Sequence, residues 1–383
     1  MESVRLGIIG VGGMGSSHSR YLLEGDVKRC ELTAVCDVVR EKLKPFANLK
    51  TYTDSRKLIR SGGVDAVIIA TPHYDHTTIG IDALKNGVHV LSEKPISVHK
   101  ADCERLIAAH KAHPKLVFGA MFQMRTEPVW QRIRELIAEG ELGELVRVVW
   151  IVTAWYRPEA YYASGGWRAT WKGEGGGVLL NQCPHNLDLL QWMCGMPKRM
   201  HAFCGFGKYH HIETEDDVTA YFEYANGATG LFVATTGEAP GTDRLEIAGD
   251  RGKLVYENGK LVFHRNVVST RKFTRTSKGL FDRPEAWECV IPIGRKAAGH
   301  AVVTQNFVNA ILDGEPLIAP GEEGIHSVEL ANAMLYSAFT HKTVELPLNG
   351  AAYERHLKRL IAASRFKKRV RGSSESDISK SFR

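Results

Sequence analysis

The most constraining stretch is Val4–Gly15, where a short apolar strand (Val4–Gly10) runs into Gly10-Val11-Gly12-Gly13-Met14-Gly15 and then into a helical pattern over Ser16–Leu23. A G-x-G-x-x-G spacing is weak alone and gains meaning between a strand and a helix. Here Gly10 permits the tight turn, Gly12 lets backbone approach a pyrophosphate, and Gly15 lets helix and strand pack closely. Free N–H groups at the helix start then face the phosphates. A second strand, Glu31–Cys36, ends in Asp37, about 20 residues past the last glycine, where a carboxylate bonds a ribose 2′-hydroxyl. The same charge repels a 2′-phosphate, so the expected cofactor is NAD, with NADP less favoured.

The alternation continues through strand Val64–Ala70, helix Thr77–Asn86, strand Val88–Ser92, helix Val98–His113 and strand Leu116–Ala120. Uninterrupted apolar strands separated by helices predict a doubly wound parallel sheet, covered on both faces. Ligands gather beyond the carboxyl ends of such strands. Thr71, Pro72, His73 and His76 follow one strand, Glu93 and Lys94 follow the next, and Gln123 lies just past the last. All seven are expected to line the cofactor. A metal is not expected, because the histidine pair has no third ligand at a supporting spacing.

After the amphipathic helix Trp130–Glu139 the period changes. Leu145–Val152, His201–Gly205, Val218–Tyr224, Ala228–Thr236, Arg244–Gly249 and Lys253–Tyr256 read as strands joined by turn signals such as Asn226-Gly227. They predict an α+β domain with a large, mostly antiparallel sheet, one face covered by helices and the other free to meet a second subunit. Between the first two strands lies an insert with Trp155, Arg157, Tyr161, Tyr162, Trp167, Arg168 and Trp171. Rings that stack on C–H surfaces and guanidiniums that donate to hydroxyls suit a carbohydrate or polyol. His300–Leu312 and Ile325–His341 are expected as closing helices. The 383 residues therefore divide into a dinucleotide domain over 1–125, a substrate and oligomerisation domain over 126–350, and a basic helix with a disordered tail over 351–383.

The segment Gly173–Asp188 carries three consecutive glycines followed by apolar residues at helical spacing. On one helix Asn181 and His185 share a face at i and i+4, with Asp188 a turn further. Pro184 crowds the carbonyl of Leu180, so the helix kinks or restarts beside the pair.

Composition narrows the class. With 44% hydrophobic and 24% charged residues, and no apolar run of membrane length or leader pattern, a cytoplasmic globular protein is expected. Seven scattered cysteines without a C-x-x-C pair fit reduced thiols. Of the net charge of +7, Arg355–Arg383 contributes +8, which leaves the body near neutral. Nucleic acid is accordingly not an expected partner.

Taken together, Gly10–Gly15, Ala70-Thr71-Pro72 with His76, Glu93-Lys94-Pro95, Gln123–Pro128, and Gly175–Gly177 followed by His185 and Asp188 resemble the Gfo/Idh/MocA oxidoreductases over about residues 4 to 350. The resemblance implies an N-terminal Rossmann domain binding NAD(P), and a C-terminal open-faced sheet that carries substrate and builds homodimers or homotetramers. It implies sugars, cyclitols and their derivatives as substrates, oxidised or reduced at a secondary carbon. Lys94 matches the family's catalytic lysine and His185 its catalytic histidine. Asn181 stands where many members carry an aspartate. The substrate is then expected to meet Lys94, Gln123, Trp155, Arg157, Trp167, Arg168, Asn181 and His185.

In such a reaction neutral His185 is a candidate base for the hydroxyl proton, and Lys94 as ammonium stabilises a developing alkoxide. Asn181 can orient the imidazole or a substrate hydroxyl but adds no charge. Two other readings use the same residues. One is a redox-neutral glycosidase that oxidises its sugar transiently with retained NAD. The other is a non-catalytic nucleotide-binding sensor.

Overall fold

Six parallel strands, β1 (Val4–Ile9), β2 (Cys30–Cys36), β3 (Lys50–Tyr52), β4 (Ala66–Ile69), β5 (His89–Ser92) and β6 (Phe118–Ala120), form a first sheet in the order β3-β2-β1-β4-β5-β6. The structure is a computed structural model and describes residues 2–294 and 297–370; the expected disordered end, Ser373–Arg383, lies outside them. Val4, Leu6 and Ile8 of β1 and all of β4 are fully buried, as a strand covered on both faces requires. Helices α1 (Gly13–Leu23), α2 (Ser55–Ile59), α3 (His73–Lys85) and α4 (Lys100–Lys111) connect the strands. Two of them start earlier than the side-chain pattern predicts. α1 begins at Gly13 rather than Ser16, and α3 at His73 rather than Thr77, because first-turn residues need only a helical backbone. β3 is a three-residue edge strand and was too short to show in the hydrophobic pattern.

The second sheet has nine strands in the order β14-β13-β12-β11-β7-β10-β9-β8-β15. These are β7 (Leu145–Val152), β8 (Arg199–Phe206), β9 (Glu215–Glu223), β10 (Thr229–Thr235), β11 (Asp243–Gly249), β12 (Gly252–Glu257), β13 (Lys260–Asn266), β14 (Ala286–Ile291) and β15 (Val344–Glu345). Among the described residues of this sheet only β7 and β10 pair in parallel. The remaining helices are α5 (Pro128–Ala138), α6 (Glu159–Ala163), α7 (Val178–Asn181), α8 (Pro184–Cys194), α9 (Thr270–Thr276), α10 (His300–Asp313), α11 (Gly324–Thr340) and α12 (Gly350–Ala363). Leu187 and Leu190 of α8 and Leu330 and Met334 of α11 pack on one face of the sheet with Trp150, Phe222 and Phe232. On the other face Leu231 sits between Tyr221 and Val149 in register, with Val233 beside Ile151, and Phe203 and Tyr221 are exposed.

The two sheets are not built from two consecutive halves of the chain. Val303, Phe307 and Val308 of α10 pack with Leu6, Ile8 and Ile68 of the first sheet, and the Thr304 hydroxyl lies 2.7 Å from that of Tyr21 in α1. Lys100 of α4 donates to Glu329 of α11 and to the Leu348 carbonyl, each at 2.8 Å. Among the described residues no helix is long and apolar enough to cross a membrane.

Past α12, whose Tyr353 and Leu357 are buried, residues 364–370 run back over the aromatic insert. Ser364 donates to Glu213, the Phe366 ring lies 5.0 Å from the His211 ring, and the Lys368 ammonium lies 5.9 Å from the Tyr162 ring centre.

Candidate active site

The turn after β1 is shaped by what cannot be added to it. A Cβ on Gly15 would overlap the Gly10 carbonyl, and Gly10 holds φ +92 with Ala70 backbone against it. By contrast nothing lies within 4 Å of a Cβ placed on Gly12, so its backbone edge is open to a ligand. No side chain caps α1, which leaves its first N–H groups, from Gly13 and Met14 onward, for an anion. Asp37 accepts from Val11 N at 3.0 Å and Val39 N at 2.9 Å, one bond on each oxygen, with a further lone pair on each for ribose hydroxyls. Lys42, unremarked in the sequence, places its ammonium 3.7 Å from Asp37. Beyond β4 the Thr71 hydroxyl and His73 Nδ1 are buried without a partner. Open glycine edge, free helix start, acceptor-rich Asp37 and these orphan atoms fit a bound dinucleotide.

Two residues expected to line the cofactor instead hold the loops together. His76 has its Nδ1 2.8 Å from the Pro95 carbonyl and its Nε2 2.8 Å from the Thr71 carbonyl, so neither nitrogen is left for a ligand. Glu93 lies 2.7 Å from His18 Nε2 through one oxygen and accepts from its neighbour's N–H, Lys94 N, through the other. Burial alone would raise its carboxyl, yet the His18 bond holds it down at about 2. Pro72 stands at the start of α3 as its N-terminal cap.

Between the carboxyl ends of the first sheet and the glycine-rich segment of the second domain lie Lys94, Gln123, Asn181 and His185. The Lys94 ammonium donates to the Asn181 carbonyl at 2.9 Å. Burial pushes Lys94 below its ordinary value, against the opposing charges of Glu93 and Glu174. His185 is 3% exposed, and its Nε2 lies 3.0 Å from the Gln123 amide nitrogen, with Nδ1 buried and unpartnered. Burial, then the Lys94 charge, keeps His185 well below the usual imidazole range, hence neutral near pH 7.

The predicted restart at Pro184 is present, as α7 ends at Asn181 and α8 begins at Pro184. It separates the pair expected to share a face. The Asn181 side chain accepts from Tyr161 (2.9 Å) and Gln182 (3.1 Å) and donates to Glu174, and Gln123 takes the place beside His185 that had been assigned to it. Asp188 turns away from the cleft, in a two-pronged pair with Arg125 at 2.6 and 2.7 Å.

Residues 4–120 match the description "Oxidoreductase family, NAD-binding Rossmann fold", and residues 130–255 match the GFO/IDH/MocA C-terminal domain. The chain belongs to the GFO/IDH/MocA oxidoreductase family. Its relatives include inositol 2-dehydrogenase of Salmonella typhimurium, 32% identical over 38% of this chain and 45% of that one, and myo-inositol 2-dehydrogenase of Thermotoga maritima, 25% identical over 90% and 98%. The chain thus spans less than half the length of the Salmonella relative it matches. Among solved structures, the WlbA dehydrogenase of Bordetella pertussis in complex with NADH and UDP-GlcNAcA superposes with a TM-score of 0.76, 25% identity, and coverage of 91% of this chain and all (100%) of that one. The first sheet is therefore the family's NAD-binding fold.

The family's open-faced second sheet carries the aromatic insert, which divides in two. Trp171 and Tyr162 are buried, at 5% and 3% exposure, and Trp171 packs in the main core. Toward the cleft, Arg168 donates to the Tyr161 hydroxyl at 2.9 Å and lies over the rings of Tyr161 and Trp167, while Trp167 is 5.8 Å from the His73 ring. Arg157 lies over the rings of Trp155 and Tyr161. Trp155 donates to Asn186 at 3.3 Å, which orients it from α8. Tyr161, expected only as one of the insert's rings, joins Gln182 and Glu174 around the Asn181 side chain, and neither of these two is among the expected site residues. Glu174 had a signal: a carboxylate set directly among glycines.

Proposed function

We propose that this oxidoreductase transfers hydride between a secondary alcohol carbon of a sugar, glycoside or cyclitol and NAD. The observation that carries the reading is a neutral imidazole with one open nitrogen, His185 Nδ1, held in one cleft with a half-buried ammonium, Lys94. NAD, when bound, supplies the hydride acceptor. His185 takes the hydroxyl proton. The amide of Gln123 can turn so that its oxygen, otherwise unpartnered, accepts from Nε2–H, which leaves the lone pair on Nδ1. Lys94 stabilises negative charge on the substrate oxygen, and burial makes that interaction stronger than it is in water. Trp155, Arg157, Trp167 and Arg168 supply ring faces and donors for the remaining hydroxyls. The relatives named as inositol dehydrogenases and the nucleotide-sugar complex support this substrate class.

The half-apolar outer face around Phe203, Tyr221 and Leu231 supports a homodimer or homotetramer built on the second sheet. Seven free cysteines support a reducing, cytoplasmic setting. A screen of sugars and cyclitols followed at the nicotinamide absorbance tests the reading. Substrate-dependent net NADH is expected, and Lys94→Ala should lower turnover about a hundredfold with NAD affinity retained. Release of an aglycone without net NADH would replace it with the redox-neutral reading, and nucleotide binding without any turnover with the sensor.

A further inference from the structure

One buried ionisable group of the cleft has no part in the reaction above. Glu174 is 1% exposed, directly before the glycine triplet. Its Oε1 accepts from Asn181 Nδ2 and its Oε2 from Ala169 N at 2.5 Å. Both oxygens are occupied by donors, the arrangement of an ionised carboxylate. The backbone is fixed there, because a Cβ on Gly173 would overlap the Trp167 backbone and Gly175 holds φ +77.

Asn181 joins this carboxylate to the catalytic lysine. Its side-chain amide faces Glu174, and its carbonyl takes the Lys94 ammonium at 2.9 Å. We propose that Glu174 is a positioning residue that, acting through Asn181 and alongside Glu93, supplies negative charge that keeps Lys94 protonated during turnover. The proposal rests on the reading that Lys94 works as an ammonium.

Two carboxylates share this task, Glu93 with the stronger charge effect and Glu174 joined to Lys94 through Asn181. A desolvated ammonium loses its proton unless an opposite charge compensates the burial. Glu93 holds His18 with one oxygen and the Lys94 backbone N–H with the other, whereas Glu174 is tied to the residue whose carbonyl takes the ammonium itself. Other groups near Glu174 or Lys94 are Arg168, Tyr161 and Tyr162 from the insert, His73 from α3, Lys368 from the C-terminal segment, Glu215 from β9, His300 from α10, Cys183 just before α8 and His185 within it. Burial raises the Glu174 carboxyl above its ordinary value, and Arg168, the Ala169 N–H, Asn181 and Lys94 all work against that rise. An amide at 181 suits this arrangement. An aspartate would set two carboxylates within hydrogen-bonding distance, and one would retain a proton.

The experiment reads Lys94 directly. Its acid dissociation constant can be measured in the full-length protein by competitive acetylation across pH and mass spectrometry, with no substrate present. Glu174→Gln should raise that constant about tenfold and move the alkaline limb of kcat to lower pH. The double variant Glu174→Gln/Asn181→Asp exchanges carboxylate and amide while keeping each hydrogen bond, and should return both readings to or beyond wild type. An unchanged Lys94 titration in Glu174→Gln overturns the proposal. If that variant does not fold, the double variant decides: a Lys94 that titrates about tenfold more acidic than wild type overturns it. Because the acetylation needs no sugar, the absence of any sugar turnover would sink the functional reading without deciding the role of Glu174.

Discussion

Gln123 Nε2 lies 3.0 Å from His185 Nε2, so the residue just past β6 engages one nitrogen of the candidate base while the other stays open. This contact places the control of His185 in the Rossmann domain, not in the helix that carries it. His185→Ala should lower turnover by about 10²–10⁴. Gln123→Glu would set a carboxylate against the ring and raise its pKa. The acidic limb of the kcat/KM profile, expected below the ordinary imidazole value in the wild type, would then move to higher pH, since the base must be neutral. An acidic limb that stays fixed in Gln123→Glu, with His185→Ala still active, would mean the base lies elsewhere.

Cofactor choice turns on Asp37. Its carboxylate is tied to Val11 N and Val39 N, so it cannot swing aside for a 2′-phosphate. We expect NAD to bind at least tenfold more tightly than NADP, a difference of about 1.4 kcal/mol. Lys42, 3.7 Å away, should be exposed as a phosphate partner once the carboxylate is gone, so Asp37→Ala should erase most of the preference. Calorimetry with NADH and NADPH on both proteins checks this, and equal affinities in the wild type would contradict it.

The Arg125–Asp188 pair is expected to be structural. Both side chains are 1% exposed, and Arg125 also bonds the Ile318 carbonyl and Glu323, which ties α8 to the return of the chain toward the first sheet. Arg125→Ala leaves a buried carboxylate without its partner and should cost about 3–5 kcal/mol, read as a loss of denaturant midpoint. A variant within about 1 kcal/mol of wild type would show that water reaches Asp188 in its place.

Features set by local pattern were legible in the sequence. The glycine turn needs no distant partner to explain it, and the buried strands announce themselves by unbroken apolar runs. The break at Pro184 follows from a missing N–H. What escaped depends on contacts far apart in the chain. His185 is 62 residues from Gln123, and Lys94 is 87 from Asn181, so helical spacing alone put Asn181 beside the imidazole. His76 is expected to line the cofactor because nothing in the sequence shows that two carbonyls flank it. α10 was assigned to the second domain because its amphipathic face does not say which sheet it covers. β13 and β14 were missed because charged residues interrupt their alternation on an outer edge of the sheet.

Stability should fall with rising pH through Glu215. Its Oε1 accepts from Gly177 N at 2.8 Å and Leu179 N at 3.0 Å, and its Oε2 is buried without a partner. Burial raises its carboxyl from 4.5 to about 7, although the two N–H groups pull the other way. The folded protein therefore holds this proton more tightly than the unfolded chain. The group's contribution is fully favourable below the unfolded value, declines between the two values, and above the folded one has dropped by about 3 kcal/mol. Glu215→Gln keeps an acceptor for both N–H groups and cannot ionise. Its urea midpoint should exceed that of wild type at pH 8 by more than at pH 5. A gap between the two proteins that does not change with pH would rule out a titrating Glu215.

The C-terminal segment should matter to substrate and not to cofactor. Residues 364–370 reach the insert that carries Arg168 and Trp167, with Phe366 against His211 and Val370 next to Gly166. Lys368 is the informative residue. Its ammonium is buried without a hydrogen-bond partner, near the Tyr162 ring, and burial lowers it from its ordinary value. An ammonium in that condition is stabilised by any acceptor that enters beside it, as a sugar hydroxyl does. Ending the chain after Ala363 should raise substrate KM about tenfold, with NADH affinity within error of wild type. Lys368→Met, which keeps the stem and removes the charge, should give most of that effect. Ending the chain after Gly372 keeps the whole described segment and should change neither constant. If the truncation after Ala363 leaves KM unchanged and only lowers the melting temperature, the segment is a brace for α12 and takes no part in binding.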